Sequence, residues 1–149
     1  MKKMLLTICA AVLALAGFGA FAADAKPAPL PPKRVLLDIS TESMIDAASA
    51  RKIVDEAIPA KVWKLYPASK WGFVSEVEGG FTEAKVCVVT ARVFLAPLTA
   101  FTKGVVMRPT KRATTFDALP GATQDQCRQL AKDKLREAAN VVVSSLVKS

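Results

Sequence analysis

The sequence predicts a two-layer α+β domain, in which an antiparallel sheet meander carries two amphipathic helices on one face and one disulfide joins the layers. Short segments of alternating apolar residues, separated by turn residues, are typical of such a meander. Helical periodicity before and after these segments predicts a helix on each side of them in the chain. Elements of these two kinds bury their apolar faces by stacking as one sheet layer and one helix layer.

Residues 1–22 have the pattern of an export signal. Lys2 and Lys3 precede an apolar run, and Ala20 and Ala22 provide a small-x-small cleavage pattern. We expect cleavage after Ala22 and a mature protein that is periplasmic or secreted, with no transmembrane segment after cleavage. An uncleaved membrane anchor is the alternative, which the shortness of the apolar run disfavours.

The rest of the chain is predicted to contain one domain. Residues 23–33 include four prolines, which predicts an extended Pro-rich leader because proline blocks helices and interior strands. A cut after Ala25 instead of Ala22 would shorten only this leader. Residues 34–149 are predicted to form the single α+β domain, since their number supports one hydrophobic core.

The charge and composition narrow the function classes. The 149-residue chain has 21 Lys+Arg, 13 Asp+Glu and no histidine, for a net charge of +8. Loss of the two signal lysines leaves +6, which favours anionic partners such as phosphorylated glycolipids, acidic polymers or acidic protein surfaces; simple solubility is the alternative. The lack of histidine removes Ser-His and Cys-His nucleophile pairs and most zinc and haem sites.

Capping signals and periodicity place the individual elements. The first helix is predicted from the capping residues Ser40 and Thr41 to about Ile58, where a proline follows. The last helix is predicted to begin at Thr123, which completes a capping box with Gln126. Strands are predicted at residues 34–39, 61–66, 71–78, 85–96, 104–108 and 111–116.

Cys87 and Cys127 are predicted to form the disulfide. Cys87 lies on the uninterrupted apolar face of segment 85–96, and Cys127 lies on the apolar stripe of the last helix, so both should face the core. Export to an oxidising compartment and an even number of mature cysteines favour a bridge. A redox pair is the alternative, but the spacing is not C-x-x-C. No metal site is expected, because two thiolates alone half-fill a zinc shell.

Basic and aromatic residues occur together in one stretch, which is typical of glycan, lipid-headgroup and protein interfaces. They are Lys61, Trp63, Lys64, Tyr66, Lys70 and Trp71. A second basic group surrounds a predicted turn and consists of Lys103, Arg108, Lys111 and Arg112. The alternatives are that both tryptophans belong to the core and that the second group protects a sheet edge from aggregation. Nucleic acid is not expected as a partner of an exported protein.

A third candidate surface lies on the outer side of segment 85–96. Val86, Val88 and Phe94 share this side, and apolar residues gain nothing from contact with water. Residues 35–39 could cover them, as could a second subunit or another partner, or an apolar ligand.

The sequence carries no recognised catalytic motif. A nucleophile elbow, a phosphate-binding loop and a dinucleotide fingerprint are all missing. Glu76 and Glu78 share one strand face and look alike, whereas paired-carboxylate catalysis needs two different environments. We therefore predict a non-catalytic exported envelope protein, without a cofactor, that binds an anionic or protein partner. The alternatives are a structural homo-oligomer assembled through the outer sheet face and a cofactor-free hydrolase with an unrecognised site.

Overall fold

The long alternating segment of the sequence becomes an inner strand of the sheet. A computed structural model describes residues 34–98 and 110–147, which all belong to the compact unit Pro31–Ser149. The described elements are β1 (Leu36–Asp38), α1 (Ala47–Ala57), α2 (Ala60–Leu65), β2 (Trp71–Phe81), β3 (Val86–Pro97), β4 (Lys111–Pro120) and α3 (Gln124–Val147). The predicted α+β class is confirmed.

The sheet has the order β1-β2-β3-β4. The strands β2, β3 and β4 form the predicted antiparallel meander, with Phe73 opposite Leu95 and Val93 opposite Ala113. β1 pairs in parallel with β2, because α1 and α2 separate the two strands in the chain and carry it back to the same end of the sheet. β1 and β4 are therefore the edges of the sheet among the described strands.

The core lies between one face of the sheet and the helices. The side chains of β3 alternate, and its odd-numbered residues form the predicted inward face: Cys87, Val89, Ala91, Val93 and Leu95, all at most 1% exposed. α3 meets them with the predicted stripe of Cys127, Ala131, Leu135, Ala138, Val142 and Leu146. This burial of two apolar faces against each other supplies the main driving force for the two-layer fold.

The predicted disulfide is confirmed and joins the two layers. Cys87 and Cys127 are bonded, with their Cα atoms 5.7 Å apart. The predicted capping box fixes the start of α3 beside this bridge. The side-chain Oγ1 of Thr123 accepts from the backbone N–H of Gln126 at 3.2 Å, and Gln126 Oε1 accepts from the Thr123 N–H at 2.8 Å.

The strand predicted at residues 61–66 is wrong, because these residues form α2. Val62 and Trp63 are adjacent and both buried, at 0% and 9% exposure, whereas adjacent residues of a strand point to opposite faces. Lys61 and Lys64, three residues apart, lie together on the exposed side of the helix. A six-residue segment fits both periodicities, so contact with the core decided between them.

The first helix begins later than predicted. Asp46 is its N-cap and accepts from the Ser49 N–H at 2.8 Å. Hydrogen bonding with the side chain of Ser49, and then with its backbone, lowers the pKa of Asp46. Ser40 and Thr41 instead extend the link between β1 and β2. The Val77 N–H donates to Ser40 Oγ at 2.9 Å, and the Thr41 N–H donates to the Val77 carbonyl at 2.9 Å.

Several strand boundaries also differ. β2 runs to Phe81 and β4 to Pro120, each a few residues beyond its prediction. The predicted signal at residues 1–22, the leader at 23–33 and the strand at 104–108 lie outside the described residues.

We expect loss of the disulfide to destabilise the fold substantially. The bridge closes a loop with a sequence separation of 40, which is worth about 4 kcal/mol on the chain-entropy model. Urea unfolding of the oxidised protein should therefore shift to lower urea when a reductant is added. A Cys87→Ala/Cys127→Ala variant should unfold at the shifted midpoint with or without reductant. The prediction would be contradicted if reduction released two titratable thiols in the wild type and left its urea midpoint unchanged.

Gly79 is expected to be intolerant of any side chain. It lies in β2 opposite Val89 with φ +155°, and an added Cβ would collide with the Val88 carbonyl oxygen of β3. Gly80 has a similar φ of +156° but open space around it, so it is a matched control for backbone strain. Gly79→Ala should lower stability by roughly 1–3 kcal/mol more than Gly80→Ala in urea unfolding. Equal losses of stability in Gly79→Ala and Gly80→Ala would contradict the steric explanation.

Candidate functional site

The strongest candidate site is a cationic surface on α2 and the turn that follows it. We define the basic patch as Lys61, Lys64, Leu65 and Lys70. All four side chains are exposed, Leu65 to 61%. No Asp or Glu occurs from residue 57 to residue 75, so the patch has no local acid to neutralise it.

Aromatic side chains hold this patch against the core. Trp63 lies on the buried side of α2 and meets Phe73 of β2 edge-on, with the ring centroids 5.3 Å apart. Tyr66 and Trp71 form a second edge-on pair at 5.6 Å, and both are partly buried. Of the predicted aromatic residues, Trp63 thus belongs to the core, while Tyr66 and Trp71 keep some exposed surface beside the lysines.

Strand register brings the second basic group to the same end of the sheet. Trp71 at the start of β2 pairs with Pro97 at the end of β3, and Leu95 pairs with Lys111 at the start of β4. Lys70, Lys111 and Arg112 therefore lie near one end of the sheet, and all are exposed. The predicted binding residues Lys103 and Arg108 lie outside the described residues.

The lysines of the basic patch lack counterions among the described residues, whereas several other cations of the domain are paired. Arg92 contacts Glu76 at 3.0 Å and Glu78 at 3.7 Å. Lys134 contacts Asp117 at 3.1 Å and Glu137 at 2.9 Å. Within residues 34–98 and 110–147, none of the patch lysines makes an ion pair, and neither do Lys111 and Arg112. Their charges remain available to an external anion.

The apolar residues that were predicted on the outer sheet face lie there, but they are only partly exposed. Val86, Val88 and Phe94 are of intermediate burial, whereas Phe116 of β4 is 63% exposed on the same face. Sequence reasoning missed Phe116 as a surface residue because the predicted strand ended there. The alternation from Arg112 would have placed it on the outer face.

The acidic clusters have structural partners. Glu76 and Glu78 share Arg92 as their counterion, although the Glu76 side chain is 20% exposed and that of Glu78 is 55% exposed. Asp38 accepts from the hydroxyls of Ser40 and Ser75, each at 2.7 Å, and thereby ties β1 to β2. Among the described residues, no group of three or more Cys, Asp or Glu side chains could hold a metal ion.

Comparisons with known proteins give structural likenesses only. No protein-family model matches the chain, and no curated protein matches it. A PelC dodecamer from Paraburkholderia phytofirmans matches with 14% identity and a TM-score of 0.42, over 74% of this chain and 87% of that one. A variant of the same PelC dodecamer matches with 12% identity and a TM-score of 0.43, over 74% and 89%.

A predicted lipoprotein from Caulobacter crescentus matches with 15% identity and a TM-score of 0.35, over 76% of this chain and 85% of that one. At these identities and TM-scores the matches assign neither a family nor an activity to the chain. In the part of the chain that the structure describes, no helix is both long and apolar enough to cross a membrane.

The Asp117–Lys134 contact predicts a dependence of stability on pH. The hydrogen bond from Lys134 lowers the pKa of Asp117, and hydrogen bonds to Glu137 and Asp117 raise the pKa of Lys134. Because the pKa of Asp117 is lower in the folded protein, the ionised carboxylate stabilises the fold fully at pH values above the ordinary aspartate pKa of about 3.9. This contribution is lost as the pH falls through the lowered pKa.

Urea midpoints compared between pH about 7 and pH about 3 should therefore fall more for wild type than for Asp117→Asn. Glu83→Gln, which removes an exposed acid that has no ion pair among the described residues, should behave like wild type. The same pH slope in Asp117→Asn and wild type would mean that this contact contributes nothing.

Proposed function

We propose that this protein is a non-catalytic exported binding module whose basic patch takes an anionic partner. The observation that carries the proposal is that Lys61, Lys64 and Lys70 are all exposed, lie in a stretch without Asp or Glu, and make no ion pair among the described residues. Cations without counterions gain the most from an external anion, because no intramolecular pair has to be broken first.

The surroundings of the lysines support binding at a surface. Leu65 stands exposed between Lys64 and Tyr66, so the patch combines charge with an apolar contact. Trp63 anchors α2 in the core, and the Tyr66–Trp71 pair fixes the turn that leads to Lys70. A prepositioned patch of this kind binds a broad anionic surface, such as phosphate headgroups, with little loss of conformational entropy.

Two further features support an exported module without catalysis. The Cys87–Cys127 bridge suits an oxidising compartment outside the cytosol. The paired carboxylates of β2 are held by the same arginine, whereas carboxylate catalysis divides the roles of acid and base between different environments.

Binding to lipid vesicles tests the proposal. The mature, oxidised protein should co-sediment with vesicles that contain phosphatidylglycerol and not with pure phosphatidylcholine vesicles, and added salt should release it. Lys61→Gln/Lys64→Gln should weaken this binding about thirtyfold, from about 1 kcal/mol per lysine near an anionic surface. Arg51→Gln/Lys132→Gln removes the same charge from α1 and α3. These two cations also lack an ion pair among the described residues but have acids close by in the sequence, so their loss should change binding much less.

Two outcomes would contradict the proposal. Equal losses in the two double variants would mean that net charge, not the basic patch, controls binding. If the protein bound neither anionic vesicles nor a soluble phosphate polymer at low salt, the proposal of an anionic partner would be wrong. Leu65→Ser separates the two sources of phosphate, because it should weaken binding to vesicles and spare binding to the soluble polymer.

A further inference from the structure

Among the described residues, no strand pairs with the outer edge of β4. The Thr82 N–H donates to the Val86 carbonyl, and the Leu98 N–H donates to the Lys70 carbonyl, both at 2.9 Å. The even-numbered residues of β3 therefore bond to β2, and its odd-numbered residues bond to β4. By the β3–β4 register, the backbone groups that point away from β3 belong to the even-numbered residues Arg112, Thr114, Phe116 and Ala118. Of these, the Ala118 N–H donates to Asp117 Oδ1 at 2.8 Å.

The protection that edge strands usually carry is confined to the two ends of β4, with the charged Lys111 and Arg112 at its start and a proline at its end. β4 is ten residues long, and its proline comes only at the last position. No described element pairs with its outer side. A long strand with free N–H and C=O groups is a template for another strand.

We propose that a second copy of this chain pairs with β4, antiparallel and about a two-fold axis. In an antiparallel ladder, residues directly opposite each other must both direct their backbone groups into the seam. Even-numbered residues of one copy therefore face even-numbered residues of the other. Since even-numbered side chains lie on the outer face in both copies, the two helix layers fall on the same side of one continuous sheet.

Charge complementarity selects the register. With the two-fold axis at Thr114, Lys111 lies opposite Asp117 of the second copy on the inner face, and Asp117 keeps its contact with Lys134 of its own chain. On the outer face, Arg112 lies opposite Phe116 of the second copy, which places a guanidinium over the most exposed aromatic ring of the sheet. Because of the two-fold symmetry, each of these two contacts occurs twice in the dimer.

Neighbouring registers lose these contacts. With the axis at Thr115, Lys111 would face Leu119 and Arg112 would face Ala118. With the axis at Phe116, Lys111 would face Gly121, and Asp117 would face Thr115. Only the register centred on Thr114 places opposite charges directly across the seam, and such cross-strand pairs stabilise a sheet.

The helix layer has room for this arrangement. α3 packs on β3 through the disulfide and on β4 through Thr115, whose hydroxyl donates to the Lys134 carbonyl at 2.8 Å. Strands lie about 4.8 Å apart, so the two α3 helices would be about 10 Å apart, the distance at which helices pack. Val141, 50% exposed, lies two turns beyond Lys134 on the same side of α3 and would enter this contact.

The proposed interface is independent of the basic patch. β2 and the α2 that precedes it lie on the side of the sheet away from β4, so Lys61, Lys64 and Lys70 stay free in the pair. Lys61→Gln/Lys64→Gln should therefore dimerise like wild type even where it no longer binds anions.

A disulfide trap tests the interface and its register together. The proposed axis places the two copies of Thr114 directly opposite, with Cα atoms about 5.5 Å apart, which is within disulfide range. Thr114→Cys should therefore form a covalent dimer under mild oxidation. Phe116→Cys is the matched control, because its two copies would be about 14 Å apart along the seam. It should crosslink at least tenfold more slowly.

Solution mass gives a second measurement on the natural sequence. Sedimentation of the mature, oxidised wild type should show a monomer–dimer equilibrium. Thr114→Pro should remain monomeric, since it removes an N–H that points into the seam and is not used in bonding to β3. Lys111→Glu should weaken the dimer by placing like charges opposite each other.

Two outcomes would overturn the proposal. One is a wild type that stays monomeric at every soluble concentration, and the other is equal crosslinking of Thr114→Cys and Phe116→Cys.

Discussion

The contact between the inward face of β3 and the apolar stripe of α3 is the constraint on which the rest of the structure depends. Both surfaces consist of small or medium apolar side chains that are almost fully buried, and Cys87 and Cys127 link them covalently. Once α3 is fixed over β3 and β4, the remaining inner face of β2 is left for α1 and for Trp63 of α2. The position of each later feature follows from this division.

The division of the inner face also separates the two candidate surfaces. α2 packs through Trp63 against Phe73 of β2, and its lysines face outward at that side of the domain. β4 lies on the other side of β3, and its outer edge meets no described element. The basic patch and the proposed assembly edge therefore share no residues, whereas Lys111 and Arg112 could serve an external anion only in the monomer.

Charge is distributed unevenly over the surface of the sheet and the helices. The cations of β3 and α3 that lie near acids form ion pairs, such as Arg92 with Glu76 and Lys134 with Asp117. Solvent-exposed pairs of this kind contribute little to stability, but they neutralise the middle of the sheet and the surface of α3. The basic patch lies in a stretch without acids, which is why it keeps its positive charge.

The sequence by itself determined the parts of the fold that rest on a long periodic pattern. The twelve residues of β3 and the 24 residues of α3 repeat their apolar positions often enough to define one face each. The two cysteines fall on those faces, so this periodicity, together with the predicted export and the even number of mature cysteines, predicts the disulfide. Capping by Thr123 and Gln126 is equally local, because it depends on residues three positions apart.

Only the tertiary structure decided the short and non-local features. Residues 61–66 fit a strand or a helix, and the simultaneous burial of Val62 and Trp63 selects the helix. Ser40 and Thr41 are good capping residues, but bonds to Val77 use them in the link to β2. Within the described part of the chain, the open edge of β4 and the lack of ion pairs at the lysines of α2 depend on which strands and acids come close in space. The spacing of residues along the chain does not contain that information.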